Sequence, residues 1–496
     1  MTNLTDDRRP RDQFARILQT VADLAADHLG QSQDRDTPVR TPITPDEIRD
    51  QITIRPSQQG RQLDGLVDEL RDLLAISVRT THPRFANQLF VGADLPGLVG
   101  EWVSALLDTT MATYEMAPAA TVIERDLIDH MCSFAGFDNG EGLLTPGGTL
   151  SNLKAVMMAR HHAYPTSRVH GMVGQKPPAL FCSKDAHYSL SRAANILGLG
   201  VDAIYPIDTD DIGRIKPSHL REQIAQSRAD GRHPFFVCST AGTTVAGAYD
   251  PIEPVADIAD DEGLWFHVDG AYGGAALLSE THRHLMAGIE RADSLTWCPH
   301  KMMGLPVVCS ALLVREKGRL LKALSVDADY IFHDNAQATD DLGPMSLQCG
   351  RRIDAIKLWL AWQVRGDQGY EQLVDRYFDL SQHFADLVRQ RPHFVLRKQP
   401  QSCNVLFHYV PPALRHLPPG PQRLQALADA TPHIREAVKE RARVMVNYGP
   451  VDGHATFRMV HINPSMEKQD LPVFLDEIES AAKQLYPAPS AIEEVG

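Results

Sequence analysis

From about residue 90 to 365 two patterns alternate along the chain. Short apolar, β-branched runs such as PFFVCST, GLWFHVD and CSALLVRE are separated by amphipathic stretches such as TLSNLKAVMMARHHA and PIEPVADIADDEG. The runs have strand length and the stretches have helical apolar spacing, so strands and helices are predicted to alternate. Strands joined through crossover helices lie parallel, and the expected architecture is α/β, a doubly wound and mostly parallel sheet. Ahead of this region the first 50 or so residues are polar, and only FARILQTVADLAADHL (14–29) carries helical spacing, which predicts an N-terminal arm. Behind it EQLVDRYFDLSQHFADLVRQ reads as a long helix, CNVLFHYV and ATFRMVHI as strands, and DLPVFLDEIESAAKQL as a terminal helix. The Pro-rich PPALRHLPPGPQ reads as a surface loop. Three segments result: an N-terminal helical arm (1–90), a large sheet domain (91–365) and a smaller α+β domain (366–496).

Composition narrows the partners. The 496 residues, 43% hydrophobic and 23% charged, suffice for roughly three domain-sized units with an ordinary core. Forty-nine Lys and Arg against 63 Asp and Glu leave a net charge of −14 with no basic tract, which argues against nucleic acid or an anionic membrane as partner. No apolar run reaches the roughly 18 residues of a spanning helix, and MTNLTDDRRP is too polar for a signal peptide, so a cytoplasmic location is expected. The seven cysteines (132, 182, 238, 298, 309, 349, 403) form no C-x-x-C pair, and neither a disulfide framework nor a metal site is expected.

The chemistry starts at Lys301. In SLTWCPHKMMGLPVVCSALLVRE it follows an apolar run and sits among Trp297, Met302, Met303 and Leu305. Desolvation exposes a neutral amine able to form a Schiff base with an aldehyde cofactor, whereas a lysine snorkelling out of a buried loop is the structural alternative. Its neighbours favour chemistry. In WFHVDGAYGG, Asp269 ends an apolar strand, where a carboxylate needs a cation or a strong donor. A protonated pyridine nitrogen is such a partner, as pyridoxal 5′-phosphate requires; a turn-forming Asp is the alternative. LLTPGGTLSNLKAV leads from a strand through Pro-Gly-Gly-Thr into a helix, offering N–H groups to a phosphate without matching a nucleotide-binding motif. His187, after the strand ALFCS, could stack on an aromatic cofactor. All four stand at strand ends, where ligands of such sheets bind.

These residues resemble those of the group II pyridoxal-phosphate amino acid decarboxylases, across roughly residues 75 to 485. HPRFANQLF (82–90), TYEMAP (113–118), TPGGTLSN (145–152), AGTTVAGAYDP (241–251), HVDGAYGG (267–274), PHKMMGLP (299–306), LQCGRRIDAIKLWLAW (347–362) and FRMVHINP (457–464) carry the likeness in the family's order. The subgroup of glutamate, cysteine sulfinate and aspartate decarboxylases is the most similar. The resemblance implies fold type I, pyridoxal 5′-phosphate held covalently by Lys301, and Asp269 at the pyridine nitrogen. It implies His187 and Ala271 on the two ring faces, Gly148, Thr149 and His300 at the phosphate, and Thr243 near the ring substituents. Gln88 and Arg458 match substrate-side positions, where a guanidinium suits a carboxylate; a structural ion pair is the alternative for Arg458. Such enzymes place the site at a dimer interface, which implies a homodimer. The implied activity is decarboxylation of a small, acidic L-amino acid to the amine and carbon dioxide.

The chain departs from the family in three places. HDNAQATDDLGPMS (333–346) lacks the loop tyrosine expected to protonate the intermediate left by carbon dioxide, which leaves His333, His187 or water for that task. Reaction with oxygen to give an aldehyde is therefore the alternative outcome. Cys298 stands where the family shows asparagine, replacing an amide with a weak sulfur donor. Val307 and Val308 replace a Leu-Gln pair, which leaves the substrate's side chain open. An aminotransferase and a catalytically dead scaffold are the remaining alternatives, and the intact lysine, acid and phosphate turn speak against the scaffold.

Overall fold

The computed structural model describes residues 11–488 except 57, 93, 326–327, 329 and 334–339, so residues 334–339 of the loop without tyrosine lie outside the described residues. Twelve strands are described: β1 (Phe85–Ala86), β2 (Glu141–Thr145), β3 (Pro178–Ser183), β4 (Ile204–Ile207), β5 (His233–Thr240), β6 (Trp265–Gly270), β7 (Ser294–Trp297), β8 (Ser310–Val314), β9 (Phe394–Leu396), β10 (Asn404–Tyr409), β11 (Met445–Val451) and β12 (His454–Val460). The α-helices are α1 (Arg11–Gln33), α2 (Pro45–Gln51), α3 (Val67–Ile76), α4 (Leu95–Leu107), α5 (Pro118–Phe134), α6 (Gly148–Ala163), α7 (Ser167–His170), α8 (Ser189–Ile196), α9 (Pro217–Ala229), α10 (Ile252–Glu262), α11 (Arg319–Leu324), α12 (Ala355–Gln390), α13 (Pro421–Arg441) and α14 (Leu471–Leu485). Among the described residues no helix is long and apolar enough to cross a membrane.

The chain divides into two compact units. One comprises residues 1–87, 409–448 and 463–496, the other 88–408 and 449–462. In the first, β1 pairs in parallel with the start of β11 through Phe85↔Met445 and Ala86↔Val446. Helices α13 and α14 pack together there. α13 begins at Pro421, inside the segment read from sequence as loop, because proline is tolerated in a first helical turn.

The second unit carries a seven-stranded sheet in the order β2-β8-β7-β6-β5-β3-β4. The pairs β3–β4, β3–β5, β5–β6 and β6–β7 are parallel, while β8 runs antiparallel to both β7 and β2. The sheet is mostly parallel, as the alternation of patterns predicts, with one reversed strand. Apolar side chains cover both faces: Phe266, Val268, Leu295 and Trp297 belong to one buried cluster, Trp265, Phe236 and Leu312 to the other. This two-sided burial produces the continuous apolar runs seen in the sequence. α12 starts well before the stretch read as a long helix and is interrupted at Gly366, whose φ of 63° and ψ of 177° glycine alone adopts readily. Antiparallel β10 and β12 pair in this unit from Asn404↔Val460 to Phe407↔Phe457.

Candidate active site

The carboxyl ends of β2, β3, β5, β6 and β7 each deliver polar groups to one cavity of about 240 Å³. β2 ends at Thr145 and the chain turns through Gly147, whose φ of 108° suits glycine, into α6 at Gly148. Gly147, Gly148 and Thr149 form that wall, with the first N–H groups of α6 free of helical partners. A side chain at 148 would have its Cβ 3.1 Å from Cys298 Sγ and 3.2 Å from the Cβ of Ala271, so it would crowd both neighbours.

After β3, His187 accepts from the Ser189 N–H through Nδ1 at 3.3 Å. Burial lowers its pKa, Lys301 and Arg192 act in the same sense, and Asp269 opposes them. The ring is therefore neutral near pH 7, with its proton on Nε2.

Along β6, Trp265, His267 and Asp269 share one face by strand alternation, while Phe266 and Val268 enter the opposite core. Asp269 is 5% exposed. Its Oδ1 accepts from the Ala271 N–H at 3.1 Å and its Oδ2 from Asn152 Nδ2 at 2.8 Å. Among the described residues no Lys or Arg forms an ion pair with it, so a buried carboxylate faces the cavity without a cation.

Lys301 lies in the turn after β7, its N–H donating to the Cys298 carbonyl at 3.0 Å, and its partly exposed side chain lines the cavity. Met302, Met303 and Leu305 beside it are fully buried. His300 also lines the cavity, and its Nδ1 lies 3.2 Å from the Cys309 N–H; burial lowers its pKa to about 4.

The arrangement is that of a fold type I pyridoxal-phosphate enzyme, whose cofactor joins an aldehyde, a phosphate and a basic ring nitrogen. Each of those three ends has a counterpart on a different strand end: the Lys301 amine, the α6 start and the Asp269 carboxylate. The chain belongs to the pyridoxal-dependent decarboxylase family, whose conserved domain matches residues 45–410. It is 39% identical to the mouse cysteine sulfinic acid decarboxylase over 445 residues, covering 89% of this chain and 90% of that protein. It is 37% identical to the human acidic amino acid decarboxylase GADL1, covering 89% and 85%. The crystal structure of mouse CSAD superposes with a TM-score of 0.92 at 36% identity, covering 95% of this chain and 99% of that one. The protein is thus a carboxy-lyase that uses pyridoxal phosphate.

Of the residues singled out in the sequence, Gly148, Thr149, His187, Asp269, Ala271, His300 and Lys301 meet at this cavity. Thr243 does not line it. Its hydroxyl accepts from the Ala248 N–H at 3.0 Å inside its own turn, and Thr244 takes the wall position. Arg458, on β12, is 5% exposed and donates through Nη1 to the Thr244 carbonyl at 3.0 Å. Gln88 is exposed in a bend and is not part of this wall. Sequence reasoning missed Asn152 and His267; the W-x-H-x-D alternation of β6 places His267 on the face of Asp269, but nothing local pairs it with Asn152.

Proposed function

We propose that this enzyme removes the α-carboxylate of a small acidic L-amino acid, of aspartate, glutamate or cysteine sulfinate type, releasing the amine and carbon dioxide. The observation that carries the reading is the Lys301 amine and the cation-free Asp269 carboxylate facing one cavity, in a chain whose relatives are decarboxylases of acidic amino acids.

Lys301 holds the cofactor covalently, Gly148, Thr149 and His300 hold its phosphate, and Asp269 holds its ring nitrogen. Bound pyridoxal phosphate supplies an electron sink for the pair released as carbon dioxide departs. His187 and Ala271, which line the cavity, would hold the ring between them, and the His187 Nε2–H would be the donor that side offers to the substrate. Arg458 grips the acidic side chain. It reaches the backbone of Thr244, a wall residue, and its buried guanidinium suits a carboxylate or sulfinate. Gln88 is assigned to the substrate by motif position alone.

Product analysis over aspartate, glutamate, cysteine sulfinate, cysteate and 2,4-diaminobutyrate tests the reading. An amine from at least one acidic substrate is expected; turnover of 2,4-diaminobutyrate alone would refute it.

A second outcome is favoured by the absence of tyrosine from 333–346. Amino acid, oxygen and water would then yield aldehyde, carbon dioxide, ammonia and hydrogen peroxide. Oxygen uptake stoichiometric with carbon dioxide release would establish it, and equal aerobic and anaerobic rates would dismiss it.

A homodimer is part of the proposal. Leu95, Val99, Trp102 and Leu106 recur at helical spacing along α4, all exposed, a stripe that an identical subunit would cover. Sedimentation of Trp102→Glu should show monomer where the parent protein sediments as dimer.

A further inference from the structure

Asp269 is the end of a hydrogen-bonded chain whose direction can be worked out from that terminus. A carboxylate only accepts, so Asn152 must turn its amino group to Asp269 Oδ2 at 2.8 Å, with Ser189 Oγ also 2.8 Å from that nitrogen. The Asn152 carbonyl oxygen then faces Thr296 Oγ1 at 2.8 Å and His267 Nε2 at 3.1 Å, and accepts from both. His267 Nε2 must therefore carry a hydrogen. At the other terminus the Trp265 indole only donates, and it gives its N–H to Ser294 Oγ at 3.0 Å. With Nε2 protonated, Nδ1 is the acceptor, and the Ser294 hydroxyl proton is available to it at 2.8 Å. The Asn152 end fixes the tautomer, and the Ser294 end accommodates it. Burial drives the His267 pKa down to about 4, so the imidazole stays neutral and holds that single proton.

We propose that Asn152 and His267 are positioning residues that keep the shared proton on the cofactor's ring nitrogen instead of on Asp269. The inference rests on the reading of Asp269 as that nitrogen's partner. A pyridine and a carboxylate sharing one proton exist either as an ionised pair or as a neutral pair, and the burial of Asp269 disfavours charge separation. Two neutral donors on the carboxylate, the Asn152 amide and the Ala271 N–H, offset this by favouring the ionised form. A Lys or Arg there would do the same but would compete with the ring for the carboxylate. The Asn152 oxygen accepts two hydrogen bonds, which polarises its N–H groups further. The sheet explains how the chain is held: Cys238↔His267↔Ser294 and Thr240↔Asp269↔Thr296 are in register, and α6 lays Asn152 over that face.

The holoenzyme reconstituted with pyridoxal phosphate labelled with ¹⁵N in the ring tests this directly, because the ¹⁵N chemical shift reports protonation of that atom. In Asn152→Ala the shift should move toward the unprotonated value and the cofactor Kd should rise about 10-fold or more, as expected for loss of a hydrogen bond to a charged group. Ser294→Ala, which removes the partner of His267 Nδ1 without touching the cavity, should give a smaller change in the same direction. His267→Gln, which keeps a donor toward Asn152, should resemble the parent protein more closely than His267→Leu does. A parent-like ¹⁵N shift in Asn152→Ala, with Asp269→Asn shifted, would overturn the inference and spare the Asp269 reading. An unchanged shift in Asp269→Asn would overturn that reading itself. Should Asn152→Ala fail to fold, Ser294→Ala decides by the same two outcomes.

Discussion

Arg351 Nη2 meets Glu124 Oε1 at 2.5 Å, with only 4% and 1% of the two side chains exposed. The same guanidinium donates to the carbonyls of Met111 and Leu144, and the Leu144 N–H donates to Glu124. Lys154 lies close by. Burial, and then Arg351, lowers its pKa to about 7 against the pull of Glu124. One carboxylate thus serves two cations beneath β2. Glu124→Gln leaves both without a counter-charge and should destabilise the protein by about 3–5 kcal/mol in urea unfolding. Adding Lys154→Met should recover part of that loss. A single variant within about 1 kcal/mol of the parent would contradict this account.

Lys301→Ala should abolish turnover and the covalent adduct. Borohydride reduction followed by peptide mapping should label the Lys301 peptide of the parent and no lysine of the variant. Labelling at Lys154, a buried lysine whose pKa is lowered to about 7, would reassign the site.

Acid should weaken the fold already above the ordinary carboxylate range, with the buried Asp250 carboxyl, raised to about 7, opposing the trend in part. Burial depresses His267 and His300 to about 4 and His408 and His461 to about 3, from an ordinary value of 6.5. The unfolded chain binds those protons first as pH falls. Their contribution is complete above 6.5 and is lost between 6.5 and about 4 for the first two, continuing to about 3 for the others. The slope is about 1.4 kcal/mol per pH unit for each histidine inside its window. His408→Gln should flatten the dependence between pH 6 and 5 by about that amount, and an unchanged slope would count against it.

Gly100→Ala probes the contact of α4 with α12. The added Cβ would lie 2.4 Å from the Lys357 Cα and 2.7 Å from its N, backbone atoms that cannot turn aside. Lys357 is itself fixed by Glu101 at 2.6 Å, Asp354 at 2.9 Å and the Val308 carbonyl at 2.6 Å. A loss of about 1–3 kcal/mol is expected, read as a lower Tm. An unchanged Tm would show that the helices can separate at no cost.

Much of the site was legible because each part is local. The turn into α6, the acid ending β6 and the lysine after β7 each announce themselves as a strand followed by an unusual polar residue. Asn152 and His267 were not read because neither is unusual alone; 115 positions separate them, and each looks like an ordinary residue of its own element. α13 escaped because Pro432 interrupts its interior and Pro-rich sequence precedes it.

The sequence by itself determined the sheet's class and the chemical types at its carboxyl edge, since alternation, burial on two faces and strand-end polarity are properties of neighbours along the chain. Only the tertiary structure decided that β8 runs backwards, that Thr244 and not Thr243 lines the cavity, and that Asp269 is supported by an amide in place of a cation. Those are facts about distance between residues far apart in sequence, and a hydrogen bond depends on ångström-scale approach that no local pattern encodes.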